Sequence, residues 1–170
     1  WMTAAAGLVH EEFHSADFAQ RGGVFEMVQL WVNLPARHKM SAPGYQGIAD
    51  AQIPRVALPG DVGTVRVIAG EHGAATGAAR TFTPMNVWDL RLNAGGRPSF
   101  GLAAGHTAAL FVLRGTIRIG EHTVRAAELA VLEREGTELV FDTAEDSVVL
   151  LLSGQPLDEP IVGHGPFVMN

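Results

Sequence analysis

The chain has 170 residues, 47% of them hydrophobic, no cysteine and a formal charge of -6. Without cysteine there is no disulfide, thiolate metal site or cysteine nucleophile, so His and carboxylate remain as the strong candidate ligands. Its 12 Lys and Arg stand against 18 Asp and Glu, which leaves no broad basic surface to neutralise phosphates and argues against direct nucleic-acid binding. The longest apolar run, near Val148 to Leu152, is far too short to cross a bilayer. A soluble protein is expected, and its lack of cysteine suits the cytoplasm.

In chain order, Trp1 opens abruptly in a stretch that reads as structured interior, which implies residues upstream. Next comes His10-Glu11-Glu12-Phe13-His14. In a strand, residues two apart share a face, so His10, Glu12 and His14 are expected to line up on one side. Residues 35–54 hold Pro35, Pro43, Gly44, Gly47 and Pro54 and read as a connection, with 46–53 the best helix candidate. From Val56 onward short period-two runs recur, as in Thr64-Val65-Arg66-Val67-Ile68, Val87-Trp88-Asp89-Leu90-Arg91-Leu92 and Thr116-Ile117-Arg118-Ile119. Many short strands divided by Gly and Pro point to a sandwich or barrel. A hairpin is expected from Ala109–Leu113 through Arg114-Gly115 into 116–120. After Pro156 and Pro160 the chain ends in 163–170, expected as an extended return segment that buries Phe167 and Met169.

Several segments carry a family resemblance. They are Trp1-Met2-Thr3-Ala4, Gly7-Leu8-Val9-His10 followed by Glu12, Gln29-Leu30-Trp31-Val32-Asn33-Leu34-Pro35, Lys39-Met40, Tyr45-Gln46, Val67-Ile68-Ala69-Gly70-Glu71 and Gly165-Pro166-Phe167-Val168-Met169-Asn170. As an ordered set spanning nearly the whole chain, they resemble the pirins. The resemblance implies an all-β bicupin of two jelly-roll barrels, with a mononuclear metal in the N-terminal one. On this reading 1–36 are the closing strands of the N-terminal cupin barrel, 37–55 are an inter-barrel linker, 56–159 form the C-terminal cupin barrel and 160–170 are the return segment. The chain is then shorter than a pirin at both ends. A His-Pro-His segment upstream, in a missing stretch or another chain, would supply two further metal ligands.

The resemblance marks His10 and Glu12 as metal ligands, with Glu12 also assisting proton removal. Imidazole with carboxylate suits Fe(II), the first choice, and also accepts Mn, Ni, Cu or Zn. His14 is not marked and reads as a surface histidine near the pocket mouth. Glu11 replaces the small residue usual in pirins and should face the other side. Trp1, Met2, Phe13, Phe25 and Trp31 are candidate pocket aromatics and apolar walls. In the second barrel His106 stands where a cupin places a His-x-His pair, but Thr107 and Ala108 follow it, so a structural or surface role is expected. Glu71-His72 and His164 read as solvated loop residues. No Ser-His-Asp arrangement, phosphate-cradling loop or zinc-protease motif is present. The resemblance implies a metal-dependent oxygenase of the quercetin 2,3-dioxygenase type, acting on a flavonol or similar aromatic. Two other readings stand behind it: a metal-sensing regulatory module that docks a protein partner, and a metal-free structural barrel.

Overall fold

A computed structural model describes all 170 residues, Trp1–Asn170. The chain divides into two compact units, Trp1 with Gln46–Asp158, and Met2–Tyr45 with Glu159–Asn170. No helix is long and apolar enough to cross a membrane.

The smaller unit holds β1 (Met2–Thr3), α1 (Ala16–Arg21) and β2 (Gly44–Tyr45), with β1 paired antiparallel to β2. The larger unit carries β3 (Arg55–Leu58), β4 (Gly63–Ala69), β5 (Glu71–His72), β6 (Ala75–Thr76), β7 (Met85–Leu92), β8 (Ser99–Gly101) and β9 (Thr107–Arg114). It continues through β10 (Thr116–Ile119), β11 (His122–Arg125), β12 (Leu129–Leu132), β13 (Glu138–Val140), β14 (Asp142–Thr143) and β15 (Ser147–Gly154). The chain ends in the smaller unit with β16 (Val162–His164) and β17 (Phe167–Met169), an antiparallel pair.

In the larger unit six strands pair in the order β12-β9-β15-β7-β4-β3. Smaller sheets, β11-β10-β14 and β13-β8, supply the facing layer. The alternation seen in the sequence becomes alternation of burial. Val65, Val67 and Ala69 of β4, Leu110 and Val112 of β9, and Val149 and Leu151 of β15 are fully enclosed, and each stands two residues from the next on its strand. All of these but Ala69, which joins a smaller cluster with Ala79 and Val87, pack with Phe100, Ile117, Leu139 and Phe141 in one continuous core. The rings of Trp88, Phe100 and Phe141 form a chain through it, with centroids 5.8 and 6.1 Å apart, in the range of favourable aromatic pairs.

Two expectations change. The anticipated hairpin across Gly115 does not form, because β9 pairs with β12 and β15 whereas β10 pairs with β11 and β14. Gly115 has φ +81°, and a Cβ there would lie 2.3 Å from Ser147 Oγ and 2.6 Å from the Asp146 carbonyl. This kink carries the chain from one layer into the other. The hairpin is instead β10–β11, closed by Gly120-Glu121, with Gly120 at φ +57°. The helix expected over 46–53 shrinks to a single 3-10 turn, Asp50–Gln52. The side chain of Gln52 accepts from the Ala49 amide at 2.7 Å and satisfies one donor that the short turn leaves unpaired.

Candidate metal half-site

The stretch bearing His10, Glu12 and His14 is not a strand. Residues 7–15 make no ladder, because a strand needs a neighbour for its amides and carbonyls and the smaller unit offers none there. What shapes the segment is the helix that follows. Ser15 accepts from the Phe18 amide at 3.2 Å as N-cap, Asp17 sits in the first turn and Gly22 closes the end at φ +66°. This helix places the Phe18 ring 5.4 Å from that of His14 in a parallel stack, and Phe25 packs against both at 4.6 and 5.6 Å. His14 is thus an aromatic anchor for the segment, a role its sequence did not announce.

His10 and Glu12 do approach one another, with Nε2 3.5 Å from Oε1. Two ligand atoms bound at about 2.1 Å, at angles between a right angle and tetrahedral, stand about 3.0 to 3.4 Å apart. The observed separation of 3.5 Å lies just beyond the upper end, so a small side-chain movement would let nitrogen and oxygen share one ion. Gln29 Nε2 lies 3.5 Å from the same Glu12 Oε1 and donates a long hydrogen bond to it. That contact was not foreseen. No third His, Asp or Glu joins the pair, and nowhere in the chain do three such groups gather as a metal cage. The donor chemistry of the pair, one imidazole and one carboxylate, suits a first-row metal ion.

The expected pocket residues separate. Phe13 is 83% exposed and Trp31 and Phe25 are also largely open. Trp1 packs instead against Ala69, Ala79 and Val87 in the larger unit. Phe167 and Met169 are likewise exposed rather than buried. The C-terminal segment is held by polar contacts. Lys39 Nζ donates to the Val168 carbonyl at 2.8 Å and to Asn33 Oδ1. The Ala36 amide donates to Glu159 Oε2 at 2.7 Å, and Asn170 donates to the Leu34 carbonyl at 3.0 Å. Lys39 is only 8% exposed. Burial pulls its ammonium below the usual lysine range, against an opposing attraction from Glu159.

In the larger unit, His72 departs from the solvated-loop reading, and of the two roles expected for His106 the structural one holds. His72 lies in β5 with its ring 4.9 Å from Trp88, edge to face, and 5.8 Å from Phe100. Burial holds its pKa below the usual value. His106 is partly buried and lines a cavity, and its Nδ1 is enclosed without a hydrogen-bond partner. Ala108, two residues on and buried, stands where a second imidazole would be needed, so this position does not build a metal site. His164 is exposed in β16.

The comparisons with known proteins agree with this architecture. The pirin C-terminal cupin domain matches residues 87–170. A Pseudomonas aeruginosa protein named "putative quercetin 2,3-dioxygenase" is 52% identical over all 170 residues. Mouse pirin is 35% identical over 175 aligned positions that take in the whole chain. The chain belongs to the pirin family. The crystal structure of a quercetin 2,3-dioxygenase from Acinetobacter baumannii superposes on the whole chain with a TM-score of 0.96 at 50% identity, which makes the fold an all-β cupin. The chain spans 59% of the length of the Pseudomonas protein, 58% of mouse pirin and 59% of the Acinetobacter chain.

Proposed function

We propose that His10 and Glu12 are two of the protein ligands of a mononuclear metal centre in a pirin-type oxygenase, with Fe(II) as the ion and a flavonol or similar aromatic as substrate. The observation that carries this is the 3.5 Å approach of His10 Nε2 to Glu12 Oε1. It falls in a chain that is half identical to proteins named for quercetin 2,3-dioxygenation. The remaining ligands are two imidazoles contributed by a further pirin segment.

Iron bound there supplies a Lewis-acidic centre with positions left for small ligands. Glu12 is suited to a second task, taking the proton of a substrate hydroxyl, provided that hydroxyl comes within about 2.6 to 3.2 Å. Gln29 restrains the carboxylate from the side. The stacked His14, Phe18 and Phe25 rings hold the backbone that carries both ligands.

The test is oxygen uptake by the iron-loaded, full-length protein with a flavonol, alongside metal content. His10→Ala should lower bound iron and uptake together. Glu12→Gln should depress turnover more than occupancy, because it keeps an oxygen ligand but loses the base. Uptake that is absent in the parent, or unchanged in His10→Ala, refutes the proposal.

A protein-binding, metal-sensing module is the second reading; the exposed Val9, Phe13 and Val24 do not favour it, since the chain spans 59% of its Pseudomonas relative and the further pirin segment is what would cover them. A pull-down with the full-length protein that is indifferent to iron oxidation state and to Glu12→Gln counts against a metal-sensing regulator.

A further inference from the structure

The two oxygens of Glu12 are not equivalent. Oε1 stands 3.5 Å from His10 Nε2 and accepts from Gln29 Nε2, also at 3.5 Å. Oε2 takes part in neither contact. Gln29 lies 17 residues further along the chain, and the ring contacts of Phe25 with His14 and Phe18 fold the chain back between the two positions. On the reading of His10 and Glu12 as metal ligands, we propose that Gln29 is a positioning residue for the centre: its amide selects Oε1 as the ligand oxygen and leaves Oε2 for the proton of the substrate hydroxyl.

The first argument is capacity. Each oxygen of an ionised carboxylate offers two lone-pair sites. With the Gln29 N–H on one and an ion shared with His10 on the other, Oε1 is filled, and binding through both oxygens would require the carboxylate to rotate against the amide. The second is residue type. An amide is an uncharged donor, so it orients the carboxylate without cancelling the charge that attracts the cation, as a lysine or arginine would. The third is magnitude. Hydrogen bonds to ligating groups are commonly worth about 10–100-fold in metal affinity or activity. This one is long and the Glu12 side chain is 61% exposed, so the lower end, about tenfold, applies.

The experiment titrates the full-length protein with Co(II), whose visible absorption weakens as its coordination number rises, and compares the parent with His10→Ala, Gln29→Met and Gln29→Lys. Methionine keeps the length of glutamine without a donor; lysine keeps a donor and adds a charge. The parent should bind Co(II) saturably and His10→Ala should lose it. Gln29→Met should raise the Co(II) dissociation constant about tenfold and weaken the absorption per bound ion, as the freed carboxylate turns its second oxygen to the metal. Gln29→Lys should also bind more weakly but keep the parent spectrum. Parent and Gln29→Met alike in affinity and spectrum, with the ion lost in His10→Ala, overturn the role of Gln29 and leave the metal centre standing. So does a weaker Gln29→Met that keeps the parent spectrum, or an equal spectral change in Gln29→Met and Gln29→Lys. No binding by the parent, or an ion retained in His10→Ala, overturns the centre itself and the inference with it.

Discussion

Removing the Asp89 carboxylate should destabilise the barrel far more than removing the exposed Arg91 beside it. Asp89 is 4% exposed. It lies on β7 directly opposite Arg66 of β4, and its Oδ2 accepts from Arg66 Nη1 and, at 2.9 Å, from Arg91 Nη2. Arg66 also reaches Asp50 through Nη2, which ties the 3-10 turn of the connecting segment to the outer face of the sheet. The Arg66 side chain is 15% exposed and that of Arg91 47%. Taking away Asp89 therefore leaves a nearly enclosed guanidinium with only the exposed Asp50 as partner, whereas taking away Arg91 removes a contact that water replaces. Breaking an enclosed ion pair from one side costs about 3–5 kcal/mol, and an exposed one less than about 1 kcal/mol. For a unit of roughly 110 residues, unfolding entropy near 2.1 cal/mol/K per residue turns 3–5 kcal/mol into a fall in Tm of about 13–22 °C. Urea denaturation followed by the fluorescence of the enclosed Trp88 measures the same quantity without heating. Asp89→Ala should lose about 3–5 kcal/mol and Arg91→Ala under 1. The decisive arm is Asp89→Leu combined with Arg66→Met, which should recover at least about 2 kcal/mol over Asp89→Leu alone, since no unpaired charge is left behind. If the two changes simply add, the pair is not coupled and the argument fails.

Three further outcomes follow from particular residues. The folded pKa of His72 is depressed by burial, so as pH falls below about 6.5 the unfolded chain takes the proton first; the contribution of His72 is complete above that pH and is lost as pH drops through the lowered value. The urea midpoint should therefore decline from pH 7.5 to 5.5 more steeply in the parent than in His72→Phe, and equal slopes would contradict this. Lys39→Met should remove the donor to Val168 and Asn33, at a cost of about 1.5–3 kcal/mol for charge-assisted bonds; hydrogen exchange of the 162–169 amides should accelerate while that of β15 does not. Gly115→Ala should cost well over 2 kcal/mol by chemical denaturation, because a positive φ is joined to a clash with Ser147 Oγ, whereas Gly120→Ala, with open space around its Cβ position, should cost only about 1–2.

Much of the barrel was legible because strand formation there is written in two-residue alternation, and in β4, β9 and β15 the buried positions are those the alternation marks. What alternation does not encode is the hydrogen-bonding neighbour. The run from Ala109 to Ile119 reads as strand, Gly turn, strand, and that much is correct. Yet whether Gly115 reverses the chain or carries it into the opposite layer depends on Asp146 and Ser147, more than thirty residues away. His72 and His106 illustrate the same limit. In sequence each is a polar residue beside glycine or threonine. His72 is set against Trp88 and Phe100, and His106 shares the lining of one cavity with residues as far along the chain as Leu132 and Leu139. Phe167 and Met169 show the converse error, because hydrophobicity argues for burial only where an apolar layer is within reach.

The two candidate ligands were legible for the opposite reason: at a spacing of two residues, His10 and Glu12 can meet without help from any distant segment. That same locality limits what they do. Their side chains are 44% and 61% exposed, so an ion held by them alone keeps most of its hydration shell and gains little from the protein. Each further imidazole replaces a water and adds a bond whose entropic cost the fold has already met, so affinity climbs steeply with ligand number. Metal uptake by the proposed centre should therefore be coupled to the ordering of residues 7–15, which carry both candidate ligands. Hydrogen exchange in that segment should slow when iron binds to the full-length protein. It should be unaffected by iron in His10→Ala, and protection that ignores both the ion and the substitution would sever the link between the segment and the metal.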